Sequence, residues 1–532
     1  MMVNNLSKLN DLISTANYAK AEFYLYDLLK QNPNDYNLNK NLGMVLLAQN
    51  KYLGALKSFN KCYLDNNQDT EIILNLSFVY LKIQDHEQCI KFSEEALKLD
   101  PESAGIHQNL AKCYLEMHQF TKALDFVEKA IQIRGGINSE EMLKYDDFLD
   151  LYADILLAIK DISNFVIFCE GVLNKKIFSP DIFLKLLKED KTKITSDYID
   201  VIENTINQSG EIKNNVEKNA KLASANICLA EYYKKDKKLS EQYFIKANDH
   251  IATMQRSSIY VRQQVYVNLV KYFNDFDDRP ILDKVDPDKG RGLIFIIGMP
   301  RSGTTLTESI LSSADDTIAG GEKVFFTNNI WPIFSDLDTD QKLNPDYIDE
   351  LGDRYLDTID LHRNGKENFI DKMPSNFLYY KFIKLALPKA KFVHVYRDTW
   401  DNAISLFKAN FQDTIIYSSS FFGIATEYSN YSHLMRFWEH SSDSTPFLNV
   451  SYEELVSNTD EMIKNLWDYC NLKGEFSSKK RKSHYASTAS QQQVSQDIYK
   501  TSLKKDEFDE FKEKFYSDMK QQDKYWQRLK LF

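Results

Sequence analysis

The chain is 532 residues long, 43% hydrophobic and 13% aromatic, too long for one core and too rich in large apolar side chains for a disordered chain. Its net charge of −11 excludes broad, non-specific nucleic-acid binding. No window approaches about eighteen uninterrupted apolar residues, so no membrane span is expected.

The N-terminal MMVNNLSKLNDLISTANY lacks the basic-then-apolar order of a secretory leader. Cys62, Cys89, Cys113, Cys169, Cys228 and Cys470 are scattered, with neither a CxxC pair nor metal-like spacing. They read as small buried residues in a reducing compartment, so a cytoplasmic location is expected and no metal.

The first elements repeat every 34 residues. Leu42, Leu76 and Leu110 hold that interval, each followed by a small residue, Gly43, Ser77 and Ala111. Ala21, Ala55, Cys89 and Ala123 share a second register, and Tyr18, Tyr52, His86 and Phe120 a third. Pro33, Asn67 and Pro101 close the units. Small residues at fixed points let paired helices approach, large ones wedge the next pair, and proline stops the second helix. The pattern resembles the tetratricopeptide repeat, with clear units over about 36–135 and a degraded one ahead of them. From about 140 to 275 the chain stays helical but loses the register. The stretches 148–173 and 226–251 predict further helix pairs, so a helical solenoid is expected over residues 1–275. Its concave face is a candidate surface for a peptide or protein partner.

The acid-, Pro- and Gly-rich stretch around 276–291 reads as a linker. Beyond it, over 292–532, the pattern becomes α/β. Apolar runs at 293–298, 369–371, 391–397 and 447–452 predict strands, and helical stretches between them imply a parallel sheet covered on both faces. Anion-binding loops belong at the carboxyl ends of such strands.

The first strand runs into such a loop: residues 293–311 read LIFIIGMPRSGTTLTESIL. Gly298 and Gly303 allow a tight turn around an anion. Pro300, Arg301, Ser302, Gly303, Thr304 and Thr305 form the candidate cradle at the helix N-terminus, where amides point outward unpaired. A Walker A loop ends in Gly-Lys-Ser/Thr, whereas here the cation is Arg301 and Gly303 precedes two threonines. That departure turns the reading from nucleoside triphosphates towards the 5′-phosphosulfate loop of sulfotransferases.

Three later segments agree. In AGGEKVFF (319–326), Gly320 and Gly321 leave room for a substrate and Glu322 can reach the mouth of the site. In FIDKMPSN (369–376), Lys372 follows a short strand. In KFVHVYRDTWDNAISLF (391–407), a strand ends in Arg397 and Ser405 follows on a helix starting near Thr399. His394 within that strand reads as a buried, hydrogen-bonded histidine. The pair Arg397–Ser405 resembles the sulfotransferase element that clamps the 3′-phosphate of 3′-phosphoadenosine 5′-phosphosulfate (PAPS).

Taken together, the chain resembles a tetratricopeptide-repeat sulfotransferase whose catalytic half is similar to the tyrosylprotein sulfotransferases. The resemblance implies a P-loop-like α/β domain, PAPS as donor and in-line transfer to an acceptor hydroxyl. It makes Glu322 the general base and gives Lys372 the transferring sulfuryl group to stabilise. TASQQQV (488–494) carries the family's Ser-x-x-Gln-Val, which places Ser490 near the cofactor sulfate and, in the same register, Lys505 at nucleotide phosphate. Ser495 and Asp506 depart from the residues usual there, and the basic run 479–482 reads as a solvated loop. Protein tyrosine, carbohydrate and small metabolite all remain open as acceptor. The rival readings are a P-loop kinase or ATPase, which the missing lysine and the lack of an acidic Mg²⁺-binding strand end oppose, and a repeat scaffold with an inactive sulfotransferase-like domain.

Overall fold

The computed structural model describes residues 9, 12–13, 18–49, 51–137, 139, 146–212, 214–254, 259–335, 343–363, 365–409, 415–441, 447–476, 478 and 506–529. The chain forms two compact units, Met1–Gly171 and Val172–Phe532.

In the first unit, the 34-residue period becomes helix pairs: Tyr36–Ala48 with Tyr52–Asp65, Thr70–Lys82 with His86–Leu99, and Ala104–Glu116 with Phe120–Ile133. Aspartates open several of these helices by accepting from first-turn amides. Asp35 takes that of Leu38 at 2.9 Å, and Asp69 those of Glu71 and Ile72 at 2.9 and 3.3 Å. Gln84 and His118, one period apart, both adopt positive φ at the turn between paired helices. Leu42, Leu76, Leu110, Ala55, Cys89 and Ala123 are all buried, as their registers require. A Cβ on Gly43 would come within 2.4 Å of the Phe59 ring, so this helix pair closes only on glycine. Successive pairs are also joined by polar contacts. The Tyr36 hydroxyl donates to Asp69, and Lys40 bridges Asp69 and Glu71 at 3.3 and 2.7 Å. Stacking of neighbours in this way is what gives a repeat array its stability.

In the second unit, five parallel strands form one sheet in the order β2-β3-β1-β4-β5. They are β1 Leu293–Gly298, β2 Thr317–Ala319, β3 Asn368–Asp371, β4 Lys391–Tyr396 and β5 Leu448–Ser451. All six residues of β1 are buried, as expected for a central parallel strand covered on both faces. Strand β2 has no counterpart in the sequence reading, because three residues are too few for a periodic signal. β1 lies between β3 and β4, so the chain leaving its carboxyl end enters the crevice where strand order reverses.

Helices Asn215–Tyr232, Lys237–Met254 and Ile259–Asn274 belong to this second unit. Arg262 donates to both carboxylate oxygens of Glu427, at 2.8 and 2.6 Å, and the Tyr266 hydroxyl donates to the same group at 2.6 Å. Asn248 donates to the Phe407 carbonyl at 2.8 Å. Residues 276–291 lie inside the same unit, where Lys289 pairs with Asp349 and Asp353.

Glu427 is buried on helix Phe421–His440, and removing its carboxylate would take away the acceptor that Arg262 and Tyr266 share. Glu427→Ala will destabilise the second unit by about 3 kcal/mol, the low end for breaking a buried ion pair, because Arg262 keeps 34% of its side chain in water. All five tryptophans lie beyond residue 171, so fluorescence-detected urea unfolding reads this unit separately from the repeats.

Candidate active site

The loop after β1 is shaped by residues with little choice of identity. Gly298 passes so close to β4 that a Cβ would sit 2.2 Å from the Val395 carbonyl oxygen. Gly303, at φ 109°, opens helix Thr304–Leu311, and a Cβ there would lie 2.5 Å from the Tyr452 ring. Between them Arg301 takes φ 66°, and the Ser302 amide donates to the Met299 carbonyl at 3.2 Å. The N-cap position is Gly303 itself, which has no side chain to offer the first turn. The Ser302 side chain is fully buried, and its hydroxyl has no hydrogen-bond partner among the described residues. A helix N-terminus opened by glycine, with a buried hydroxyl beside it, suits an anion that accepts from both. Thr304 and Thr305 are buried beside them, and the Pro300 carbonyl is held by the Asn402 amide at 3.1 Å.

The adjacent strand brings a second cation. Arg397 follows β4, and its guanidinium lies over the Tyr452 ring, 4.6 Å from the centroid, and 3.7 Å from Asp401. Helix Thr399–Phe407, capped by Asp398, carries Ser405, whose hydroxyl accepts from Arg301 Nε at 3.2 Å. Burial, then the neighbouring Arg397 charge, hold the Arg301 guanidinium below its ordinary value. Two guanidiniums crowded together in a desolvated place favour a multiply charged anion, which relieves both penalties at once.

The third part lies along β2 and β3. Lys372, with a side chain wholly buried, forms an ion pair with Glu322, whose side chain is 44% exposed. The pair is fixed from behind. The Lys372 amide donates to the Gly321 carbonyl at 2.9 Å, and the Gly321 amide donates to Glu308 at 3.0 Å. Glu308 is buried on the helix that the 298–303 loop opens, so loop, carboxylate and lysine share one rigid frame.

The structure thus brings Pro300–Thr305, Arg397 and Ser405 together and sets Glu322 against Lys372. Ser490 and Lys505 lie outside the described residues, as does Ser495. His394 is buried, with Nδ1 2.6 Å from Asn449 Oδ1 and Nε2 bonded to the Tyr431 hydroxyl, a structural arrangement. Sequence reasoning missed Tyr452, Glu308 and Asn402. Tyr452 closes the predicted run 447–452, but nothing in a linear pattern says that its ring lies under Arg397 and against Gly303. Among the described residues no group of three or more His, Cys, Asp or Glu is placed to hold a metal ion, and no helix is long and apolar enough to cross a membrane.

Comparison with known proteins agrees with this architecture. Residues 294–476 match the model of the sulfotransferase family, and residues 69–135 match a tetratricopeptide repeat model. An uncharacterized protein of Aquifex aeolicus (strain VF5) is 27% identical over 353 residues, 62% of this chain and 44% of that protein. Anaphase-promoting complex subunit CDC16 of Saccharomyces cerevisiae is 27% identical over 139 residues, 25% of this chain and 16% of the relative. The chain therefore spans less than half the length of the curated relatives it matches. Among solved structures, MamA is similar at 16% identity and a TM-score of 0.28, over 36% of this chain and 96% of that one. A tetratricopeptide repeat protein from Parabacteroides merdae ATCC 43184 is similar at 17% identity and a TM-score of 0.29, over 46% of this chain and 92% of that one.

Gly303→Ala places a methyl group against Tyr452 at a backbone angle that alanine resists. The variant will lose protection by inorganic sulfate or pyrophosphate in thermal denaturation while the repeats keep their helical circular dichroism. Undiminished protection would show that the anion does not sit in this loop.

Proposed function

We propose that this chain, which joins tetratricopeptide repeats to a sulfotransferase-family domain, moves the sulfuryl group of PAPS to an acceptor hydroxyl in the cytoplasm. The observation that carries the reading is the Glu322–Lys372 pair, tied through Glu308 to the helix of an anion loop whose cation is arginine. PAPS supplies an activated sulfuryl group on its 5′-phosphate. Pro300, Arg301, Ser302, Gly303, Thr304 and Thr305 would hold that end, with the buried Ser302 hydroxyl and the amides of the helix N-terminus as donors. Arg397 and Ser405 would hold the 3′-phosphate, which separates this donor from nucleotides lacking one.

Glu322 is exposed enough to meet an acceptor and takes the hydroxyl proton as the new oxygen–sulfur bond forms. Once the carboxylate is protonated, its hold on Lys372 weakens. The ammonium is then free to face the negative charge left on the departing phosphate oxygen as the old sulfur–oxygen bond breaks. Arg301 shares that charge. Such transfer needs mainly positioning and electrostatics, and both come from groups already fixed by the sheet. Ser490 and Lys505 keep the roles the resemblance implies, on sulfate and nucleotide phosphate. The repeats suit a peptide-bearing acceptor such as a protein tyrosine, with carbohydrate and small metabolite as the other classes. A repeat scaffold with an inert second domain would have no use for the Glu322–Lys372 pair beside the loop.

In thermal denaturation 3′-phosphoadenosine 5′-phosphate (PAP) will stabilise the chain and ATP will not. Equal protection by both would point to a P-loop kinase or ATPase instead. With labelled PAPS, Glu322→Gln will lower turnover by about 10²–10⁴-fold at unchanged PAP affinity, the usual worth of a general base. Unchanged turnover would remove Glu322 from that role.

A further inference from the structure

Behind the Glu322–Lys372 pair lies a polar group that the transfer itself does not touch. Asp371 is the last residue of β3, almost wholly buried and directly preceding Lys372. Three donors converge on its carboxyl group. The Tyr355 hydroxyl reaches Oδ2 at 2.7 Å, the Met373 amide reaches Oδ1 at 3.1 Å, and the Asn376 side-chain amide approaches Oδ1 at 3.5 Å. The Met373 bond spans two residues and folds the chain tightly around Lys372. Tyr355 comes from helix Pro345–Arg363, and its buried ring packs on Phe295, Phe325 and Phe326, with centroids 5.7, 5.3 and 4.7 Å away. The hydroxyl is therefore delivered by a part of the core that has no freedom to follow the turn. A buried carboxyl group surrounded by donors at the root of a catalytic turn is an expensive structure if an apolar side chain would serve.

We propose that Asp371 is a positioning residue for the transfer, which as a carboxylate held by Tyr355 and the Met373 amide fixes the 371–374 turn and so sets Lys372 against Glu322 and the sulfuryl group. The proposal rests on the sulfotransferase reading of the site and adds a residue to it. The charged groups facing Asp371 are Lys323 from the 320–324 segment and Glu308 from the loop helix; Arg363 acts on Tyr355 from the same helix. Burial pushes the Asp371 carboxyl up to about 7, against the pull of the Tyr355 hydroxyl, Lys323 and the Met373 amide, with Glu308 adding to the rise. A raised acid is ionised above that value and protonated below it. The proton occupies an oxygen that was accepting, so the turn loosens as pH falls through about 7.

The test uses the full chain and two variants, Tyr355→Phe, which deletes one hydroxyl, and Asp371→Asn, which deletes the charge at constant shape. Turnover of PAPS is measured against pH together with PAP affinity, and Lys372 acylation by an amine-reactive ester at pH 8 is read by peptide mass spectrometry. Tyr355→Phe will lower kcat by about 10- to 100-fold, the range expected for a misplaced catalytic group, with PAP affinity unchanged within about twofold. It will also move the acid limb of the kcat profile to higher pH, since the bond that favours the carboxylate is gone. Asp371→Asn will abolish the limb near pH 7, and in both variants Lys372 will acylate several-fold faster than in the parent chain. An acid limb that stays in place in both variants, with Lys372 acylation unchanged, overturns the proposal. So does a loss of turnover matched by an equal loss of PAP affinity, which marks a merely structural role. Acylation needs no sulfate transfer. A parent chain that turns over no PAPS, while Lys372 still becomes reactive in the variants, would sink the sulfotransferase reading and leave the positioning role standing.

Discussion

The candidate site depends on one hydrogen bond between a buried carboxylate and a backbone amide, from Gly321 to Glu308. Glu308 belongs to the helix that the 298–303 loop opens, and Gly321 immediately precedes Glu322. Through the Gly321 carbonyl the same residue holds the Lys372 amide, so β2, β3 and the loop helix meet at a single glycine. Gly321 sits at φ 69°, and a Cβ there would meet nothing within 4 Å, so what the position asks of glycine is the left-handed backbone rather than the space. A side chain that resists this angle would turn the 321–322 peptide and lose the bond from the Lys372 amide to the Gly321 carbonyl.

The second constraint is electrostatic. Arg301, Arg397, Lys372 and Lys323 stand close to one sheet edge, all of them partly or wholly removed from water. Isolated buried cations are costly, and the protein offsets them with Asp401, Glu322, Glu308 and the ring of Tyr452. These offsets are unequal in kind. Glu308 is locked in a backbone hydrogen bond, whereas Glu322 is nearly half exposed and can exchange its partner for an incoming group. An arrangement that is balanced but not closed lets an incoming charged or polar group displace a partner already present.

The helices that precede the sheet are more than a connector. Arg262, Tyr266 and Asn248 reach into the α/β unit through buried polar contacts with Glu427 and the Phe407 carbonyl. Helix Asp509–Leu529 joins the same layer, where Trp526 donates to Asn430 at 3.0 Å and the Ser429 hydroxyl to Asp523 at 2.7 Å. Buried hydrogen bonds of this sort specify which elements pack together, since a mispairing would leave several charges and amides unsatisfied.

Much of this was legible in the chain alone. A 34-residue period, an apolar run ending in Gly-Met-Pro-Arg-Ser-Gly-Thr-Thr, and Arg397 followed by Ser405 are local patterns. Local geometry is what a linear sequence encodes: a helix stripe, a turn that admits only glycine, a strand end. The extents of the helix pairs, the positions of β1, β3, β4 and β5, and the loop residues follow from such patterns. Tyr452, Glu308, Tyr355 and Asn402 do not. Each matters because of a partner that lies 13 to 149 residues away in sequence. The packing of helices 215–274 onto the α/β unit was equally hidden, because a helix's apolar stripe does not name the surface that covers it. The sequence by itself determined the chemistry available to this protein, whereas the tertiary structure decided which groups face one another, since those distances exist only once the sheet has closed.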